Sequence, residues 1–148
     1  MSSVLSLGSN VGDRWANLRL GIQVLEPLDV SPVYETLPWG NLDQETFLNV
    51  VVLCEWDAAE AWRRAQRAED LANRVRDEKW GPRTLDVDVV QADGSDPALV
   101  LPHPHAHERA FVLVPWLDLD PDAELEGFGP IADLPIDRSG VFLAGELE

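Results

Sequence analysis

"TFLNVVVLCEWDAAEAWRRAQRAEDLA", residues 46–72, carries two hydrophobic periods one after the other. In its first half Phe47 and Asn49 share one face and Leu48 and Val50 the other, the two-residue alternation of a strand over 46–56. In its second half Ala61, Ala65, Ala68 and Ala72 fall along one stripe, which predicts a helix from Asp57 to about Ala72. Asp57-Ala58-Ala59-Glu60 fits a capping box with aspartate as the cap, so the helix has a defined start.

The flanking segments repeat this grammar. "SSVLSL" (2–7) reads as a strand entering the turn Gly8-Ser9-Asn10. Asp13 can cap a helix whose apolar face carries Leu18, Ile22 and Leu25. "VSPVYET" (30–36) reads as a strand with Pro32 at an edge or bulge, and "LPWGNLDQ" (37–44) as a loop. "TLDVDVV" (84–90) is a further strand. "PHPHAHERAFVLVPWLDL" holds a short helix and an apolar segment, and the acidic tail from 118 shows no readable period. Strand, helix, strand, strand, helix, strand, without repeats or linker, predicts one α+β domain over 1–148. Its expected form is ferredoxin-like: an antiparallel sheet with helices on one face and the active site on the other.

Composition narrows the function classes. The chain has 148 residues, 45 % hydrophobic and 26 % charged, as a soluble globular domain does. Twenty-seven acids against 11 bases give a net charge of −16, which argues against generic binding to nucleic acid or an anionic membrane. The longest apolar run, "FVLVPWL" (111–117), is too short to span a bilayer and contains Pro115. The N-terminal stretch has no secretory pattern, and the one cysteine, Cys54, ends an apolar run, so a cytoplasmic location is expected. Seven of the 11 bases lie between 63 and 83. They form either a solvated helix face or a local anion site.

Strand alternation places Asp86 and Asp88 on one face and Leu85, Val87 and Val89 on the core face. Two carboxylates roughly 6–7 Å apart on a rigid strand repel each other, and together they make a partial shell for Mg²⁺. Arg74, Arg76 and Arg83 flank them, and arginine suits bidentate recognition of phosphate oxygens. Acid pairs and a few arginines also occur as plain surface ion pairs, and that reading stays open at this point. No P-loop motif is present. His103, His105 and His107 alternate in "HPHAH", a spacing that permits zinc, or one histidine on a phosphate with the other two exposed. Phe47 beside Asn49 suits a flat heterocycle, one stacking and the other hydrogen bonding.

"LGSNVGDRWANL", "SPVYETLPWGNLDQETFLNVV", "NRVRDEKWGPRTLDVDVV" and "LPHPHAHERAFVLVPW" stand in an order and at a spacing that resemble the 6-hydroxymethyl-7,8-dihydropterin pyrophosphokinase family of folate biosynthesis. The resemblance covers roughly residues 4 to 117. It implies a monomeric, cytoplasmic transferase that moves pyrophosphate from ATP to the pterin hydroxymethyl group and releases AMP. By motif, Asp86 and Asp88 look like ligands of two Mg²⁺ ions, and Arg74 and Arg83 act with them as catalytic residues. Gln66, Arg74, Arg76, Arg83, His103 and Arg109 resemble the ATP contacts. Phe47 and Phe111 resemble the aromatic pair around the pterin, with Thr36, Asn49 and the backbone near Trp39 as its hydrogen-bonding partners and Trp80 as the packing anchor of a closing loop. Three departures stand out: Asn73 replaces a glycine, the 76–80 loop is about one residue shorter than in some members, and "PALVL" lacks an arginine that some members carry before the PH motif.

Overall fold

The computed structural model describes residues 3–37, 46–74 and 84–147. The elements run β1 (Ser3–Ser9), α1 (Arg14–Leu25), β2 (Asp29–Val30), β3 (Val33–Thr36), β4 (Phe47–Cys54), α2 (Ala58–Arg74), β5 (Asp86–Ala92), α3 (Ala110–Leu119), β6 (Glu124–Leu125), β7 (Gly129–Pro130) and β8 (Val141–Gly145). The large sheet has the order β5-β1-β4-β3-β8, with β2 also on β4, and every pairing is antiparallel. Setting β8 aside, this is the ferredoxin-like arrangement that the element order predicts. The β strand expected over 30–36 is split at Ser31-Pro32 into β2 and β3. Proline has no N–H to give the ladder, and Ser31 fills the gap, its Oγ accepting from Val51 N–H at 2.9 Å.

Both predicted caps form. Asp13 accepts from Ala16 N–H at 3.1 Å, and Asp57 from Glu60 N–H at 3.0 Å. Glu60 does not complete the capping box; it turns to Arg63 and Arg64 instead. The stripe Ala61, Ala65, Ala68, Ala72 is buried to within 1 %. Small side chains there let α2 lie close to the sheet. Gly21 does the same for α1, since a β-carbon at this position would come within 2.5 Å of Leu7 Cδ2. Beneath the two helices Leu5, Leu7, Leu48, Val50, Val52, Leu85, Val87 and Val89 form the main core, and for Leu48, Val50, Leu85, Val87 and Val89 this is the face that alternation gives them.

The opposite face differs from expectation in one respect. Helices α1 and α2 share a face, but α3 lies on the other one, where Val112, Leu113 and Trp116 pack on Val4, Val51 and Val90. The run 111–117 continues as helix through Pro115 and is buried from Val112 to Trp116. The β6–β7 hairpin and a 3₁₀ turn at Ile131–Asp133 cover its outer side through Leu125 and Ile131. The site face is therefore open only in part, between α3 and β8. No helix among the described residues is long and apolar enough to cross a membrane.

Candidate functional site

Register sets the floor of the open region. Gly8 of β1 lies opposite Asp86 of β5 on one side and Asn49 of β4 on the other, and Ser6 lies opposite Asp88. Tyr34 faces Asn49, and Thr36 faces Phe47. Cross-strand neighbours share a face, so the two carboxylates and the Asn49–Thr36 pair stand on one surface with Gly8 between them. A cleft of about 1180 Å³ opens there, lined by Gly8, Thr36, Phe47, Asn49, Asp86, Asp88, Arg109 and Phe111 among others.

At the amide end Asn49 is 3 % exposed and its Nδ2 donates to Thr36 Oγ1 at 2.8 Å. That bond fixes the amide, leaving Oδ1 above Gly8. Glycine is required here for space: a β-carbon would lie 2.9 Å from Asn49 Oδ1.

At the acidic end Asp88 of β5 lies near two predicted residues of the segment that follows it, His103 and Arg109. Arg109, at the start of α3, reaches Asp88 with Nη1 3.5 Å from Oδ2. His103 is held by its own N–H to Val90 O at 2.7 Å. Its Nδ1 accepts from His105 N–H at 3.2 Å, which leaves Nε2 as the donor in the neutral ring. Burial is the main force holding the His103 ring below its ordinary 6.5; the nearby Asp88 pulls upward and Arg109 down. Arg109 also lies 5.6 Å from the centre of the Phe111 ring, so one helix start joins the two ends of the cleft.

Not every expected residue falls on the cleft. Gln66 and His103 are not among its lining residues, whereas His105 and His107 are. His107 is not exposed as expected. It stacks on Phe128 with centroids 4.4 Å apart and planes 15° apart, an apolar partner that lies in the unread tail. The three histidines do not converge, and no group of three metal-ligating side chains occurs among the described residues. Trp39, Arg76, Trp80, Arg83 and the side chain of Arg74 lie outside the described residues.

Two contributions escaped the sequence reading. Glu69 on α2 is 5 % exposed, lines the cleft, and accepts from Val87 N–H at 2.8 Å. Its spacing from Ala65 and Ala72 puts it at the edge of the buried stripe, a signal that the alanines alone do not give. Asn73 accepts from Thr84 N–H at 3.0 Å and donates to Glu69 O at 2.7 Å, while Ser9 Oγ donates to Thr84 O at 2.7 Å. Side chains of α2 thus hold β5 on both sides of Asp86.

A ferredoxin-like sheet with a carboxylate pair and an arginine at one end of its cleft and a fixed amide at the other defines a small-molecule transferase of the α+β class. The sequence model for 7,8-dihydro-6-hydroxymethylpterin-pyrophosphokinase matches residues 4–121. Similar curated proteins named 2-amino-4-hydroxy-6-hydroxymethyldihydropteridine pyrophosphokinase include that of Mycobacterium leprae, 46 % identical over 95 % of this chain and 87 % of its own. That of Mycobacterium tuberculosis is 43 % identical over 95 % and 88 %, and that of Bacillus subtilis 35 % identical over 82 % and 80 %. A solved structure described as HPPK-DHPS in complex with substrates superposes with a TM-score of 0.64 at 12 % identity, over 89 % of this chain and 42 % of that longer one. It bears on the fold alone. The chain belongs to the 7,8-dihydro-6-hydroxymethylpterin-pyrophosphokinase family. Its reaction is pyrophosphoryl transfer to hydroxymethyldihydropterin in folate biosynthesis.

Proposed function

We propose that the two ends of the cleft divide the two substrates: ATP phosphates over Asp86, Asp88, His103 and Arg109, and the pterin over Thr36, Phe47, Asn49 and Phe111. The observation carrying this is the register that sets Asp86, Gly8 and Asn49 in one row across three strands. Arg74, Arg76 and Arg83 are assigned to the phosphates, Gln66 to the nucleotide, and Trp39 and Trp80 to the pterin side. The chain acts as a single-domain monomer in the cytoplasm, with Cys54 buried.

Asp86 and Asp88 are hard oxygen donors on one face of one strand, half exposed to the cleft, and this donor set fits Mg²⁺. Two Mg²⁺ ions held there would neutralise phosphate charge during transfer. The residues of the chain do the rest by positioning. Asn49 and Thr36 hydrogen-bond the ring edge, and Phe47 and Phe111 hold its faces. This directs the hydroxymethyl oxygen towards the row of carboxylates. Arg109 and the Nε2–H of His103 steady the oxygens of the group being moved. The pterin oxygen forms the new bond to the β-phosphorus, the bond from the α–β bridging oxygen to that phosphorus breaks, and AMP leaves with the oxygen. The hydroxyl proton passes to solvent or a phosphate oxygen.

An AMP-release assay with Mg²⁺ present or chelated, and pterin present or absent, tests this. AMP should form only with both. Substrate binding without AMP, or AMP formed equally well in EDTA, would overturn the proposal.

A further inference from the structure

The family match ends at residue 121, yet the chain beyond it builds one side of the cleft. β8 adds to the outer edge of β3 in a register that sets Val141 opposite Thr36. Opposed residues share a face, so Val141 is the next side chain after Thr36 along the surface that also carries Asn49. Leu37 N–H donates to Gly140 O at 3.4 Å, which ties the end of β3 to the tail. Upstream, Ile136 packs against the apolar cluster beneath α3, as Phe111 does, and both residues line the cleft. Between Ile136 and Val141, Asp137 accepts from Ser139 N–H at 3.0 Å where the chain turns back into β8.

We propose that Ile136 and Val141 are specificity-determining residues that form the outer apolar wall of the heterocycle end of the cleft. The inference rests on the assignment of that end to the pterin. Thr36 and Asn49 supply hydrogen bonds to the ring edge, but a flat heterocycle gains affinity only if water is also kept from its apolar surface. Among the described residues the tail supplies apolar side chains on the side of Thr36 away from the carboxylates. Val141 lies one strand further from Asp86 and Asp88 than Thr36 does, so the wall is assigned to the heterocycle and not to the nucleotide.

The test measures dissociation constants for 6-hydroxymethyl-7,8-dihydropterin and for a non-hydrolysable ATP analogue by tryptophan fluorescence. The proteins are the wild type, Ile136→Ala, Val141→Thr and Phe142→Ser. Phe142 is 52 % exposed and lies opposite Glu35, on the other face of β8 from Val141, so its variant perturbs the strand without touching the wall. Ile136→Ala should weaken pterin binding about tenfold and Val141→Thr about fivefold, each leaving the ATP analogue within about twofold. Phe142→Ser should leave both constants unchanged. Unchanged pterin binding in the two wall variants overturns the inference. So does an equal loss for both ligands, or the same pterin loss in Phe142→Ser, since β8 would then serve as scaffold alone. A wild type that fails to bind the pterin removes the assignment of the cleft end and the wall with it, whereas a wild type that binds it beside equally good variants removes the wall only.

Discussion

A methyl group placed at Gly8, which carries no functional group itself, should act through Asn49. Gly8 is absent from the glycines with positive φ, so alanine fits its backbone and only space is at issue. The new β-carbon would meet Asn49 Oδ1 at 2.9 Å, with Phe47 Cδ1 next at 3.8 Å. Ordinary contact begins near 3.4 Å, so the amide oxygen must retreat by about half an ångström. It cannot do so freely, because Asn49 is 3 % exposed and tied to Thr36 at 2.8 Å. Turning the amide loosens that bond and misaims the group proposed to meet the pterin, together about 1.5 kcal/mol, or roughly tenfold in affinity. Fluorescence titration of Gly8→Ala should show this loss for the pterin and less than about twofold for the ATP analogue. A double-mutant cycle isolates the route: in an Asn49→Ala background, adding Gly8→Ala should change pterin affinity by less than about twofold. A full tenfold loss in that background, or an equal loss for both ligands, would refute the coupling through Asn49.

Asp88→Asn should lower Mg²⁺-dependent AMP formation about a hundredfold or more while thermal melts stay near wild type, and retention of activity would remove Asp88 from the proposed chemistry. Asn73→Gly removes the acceptor for Thr84 N–H and places glycine in the last turn of α2, so calorimetry should show a loss of about 2 kcal/mol; an unchanged melting temperature would contradict the clamp seen at Thr84. Tyr34, the one tyrosine in the chain, is pushed up from 10.0 to about 12, first by burial and then by its 2.5 Å bond to Asp118. Ultraviolet titration of the folded protein should find its midpoint near the raised value, and Asp118→Asn should bring it down. Since the folded value lies above the unfolded one, this contribution to stability is complete below pH 10 and fades between pH 10 and about 12. A midpoint near 10 in the native protein would show that the bond does not persist in solution.

Strand β4 and helix α2 were legible for local reasons: at Phe47-Leu48-Asn49-Val50 the two faces of β4 carry different chemistry, and α2 buries one alanine stripe. Their periods of two and of 3.6 therefore survive in the sequence. The caps at Asp13 and Asp57 were legible because a cap is a local device. Helix α3 was not: it is covered from Val112 to Trp116 on several sides, so its residues are apolar all round and show no stripe. β8 was hidden for another reason. "VFLAG" is short and leaves Phe142 and Leu143 exposed, and its pairing depends on the free edge of β3, which no local pattern announces. The site divides in the same way. Asp86, Asp88, Phe47 and Asn49 could be placed by alternation within their own strands. Arg109, Glu69 and the tail reach the cleft through tertiary packing, and of these the motif resemblance supplied only Arg109.

How a chain of net charge −16 receives an anionic co-substrate turns on which of its bases are engaged elsewhere. Arg63 and Arg64 belong to the solvated-face reading of the basic run. They are paired with Glu60, and Arg64 also with Glu26, at the far end of α2. Arg14 is likewise engaged by Glu35. Arg109 is different, because its pair with Asp88 is long, at 3.5 Å, and both side chains are about a third exposed or more, at 31 % and 43 %. Such a pair contributes on the order of 0–1 kcal/mol. A pair this weak can open readily. In the proposed reaction each member then exchanges a poor partner for a better one, Asp88 for a divalent cation and Arg109 for a phosphate oxygen. A short, fully buried bridge at the same place would have to be broken before ATP could bind, with a penalty of several kcal/mol. The loose geometry of this pair is therefore compatible with the proposed exchange.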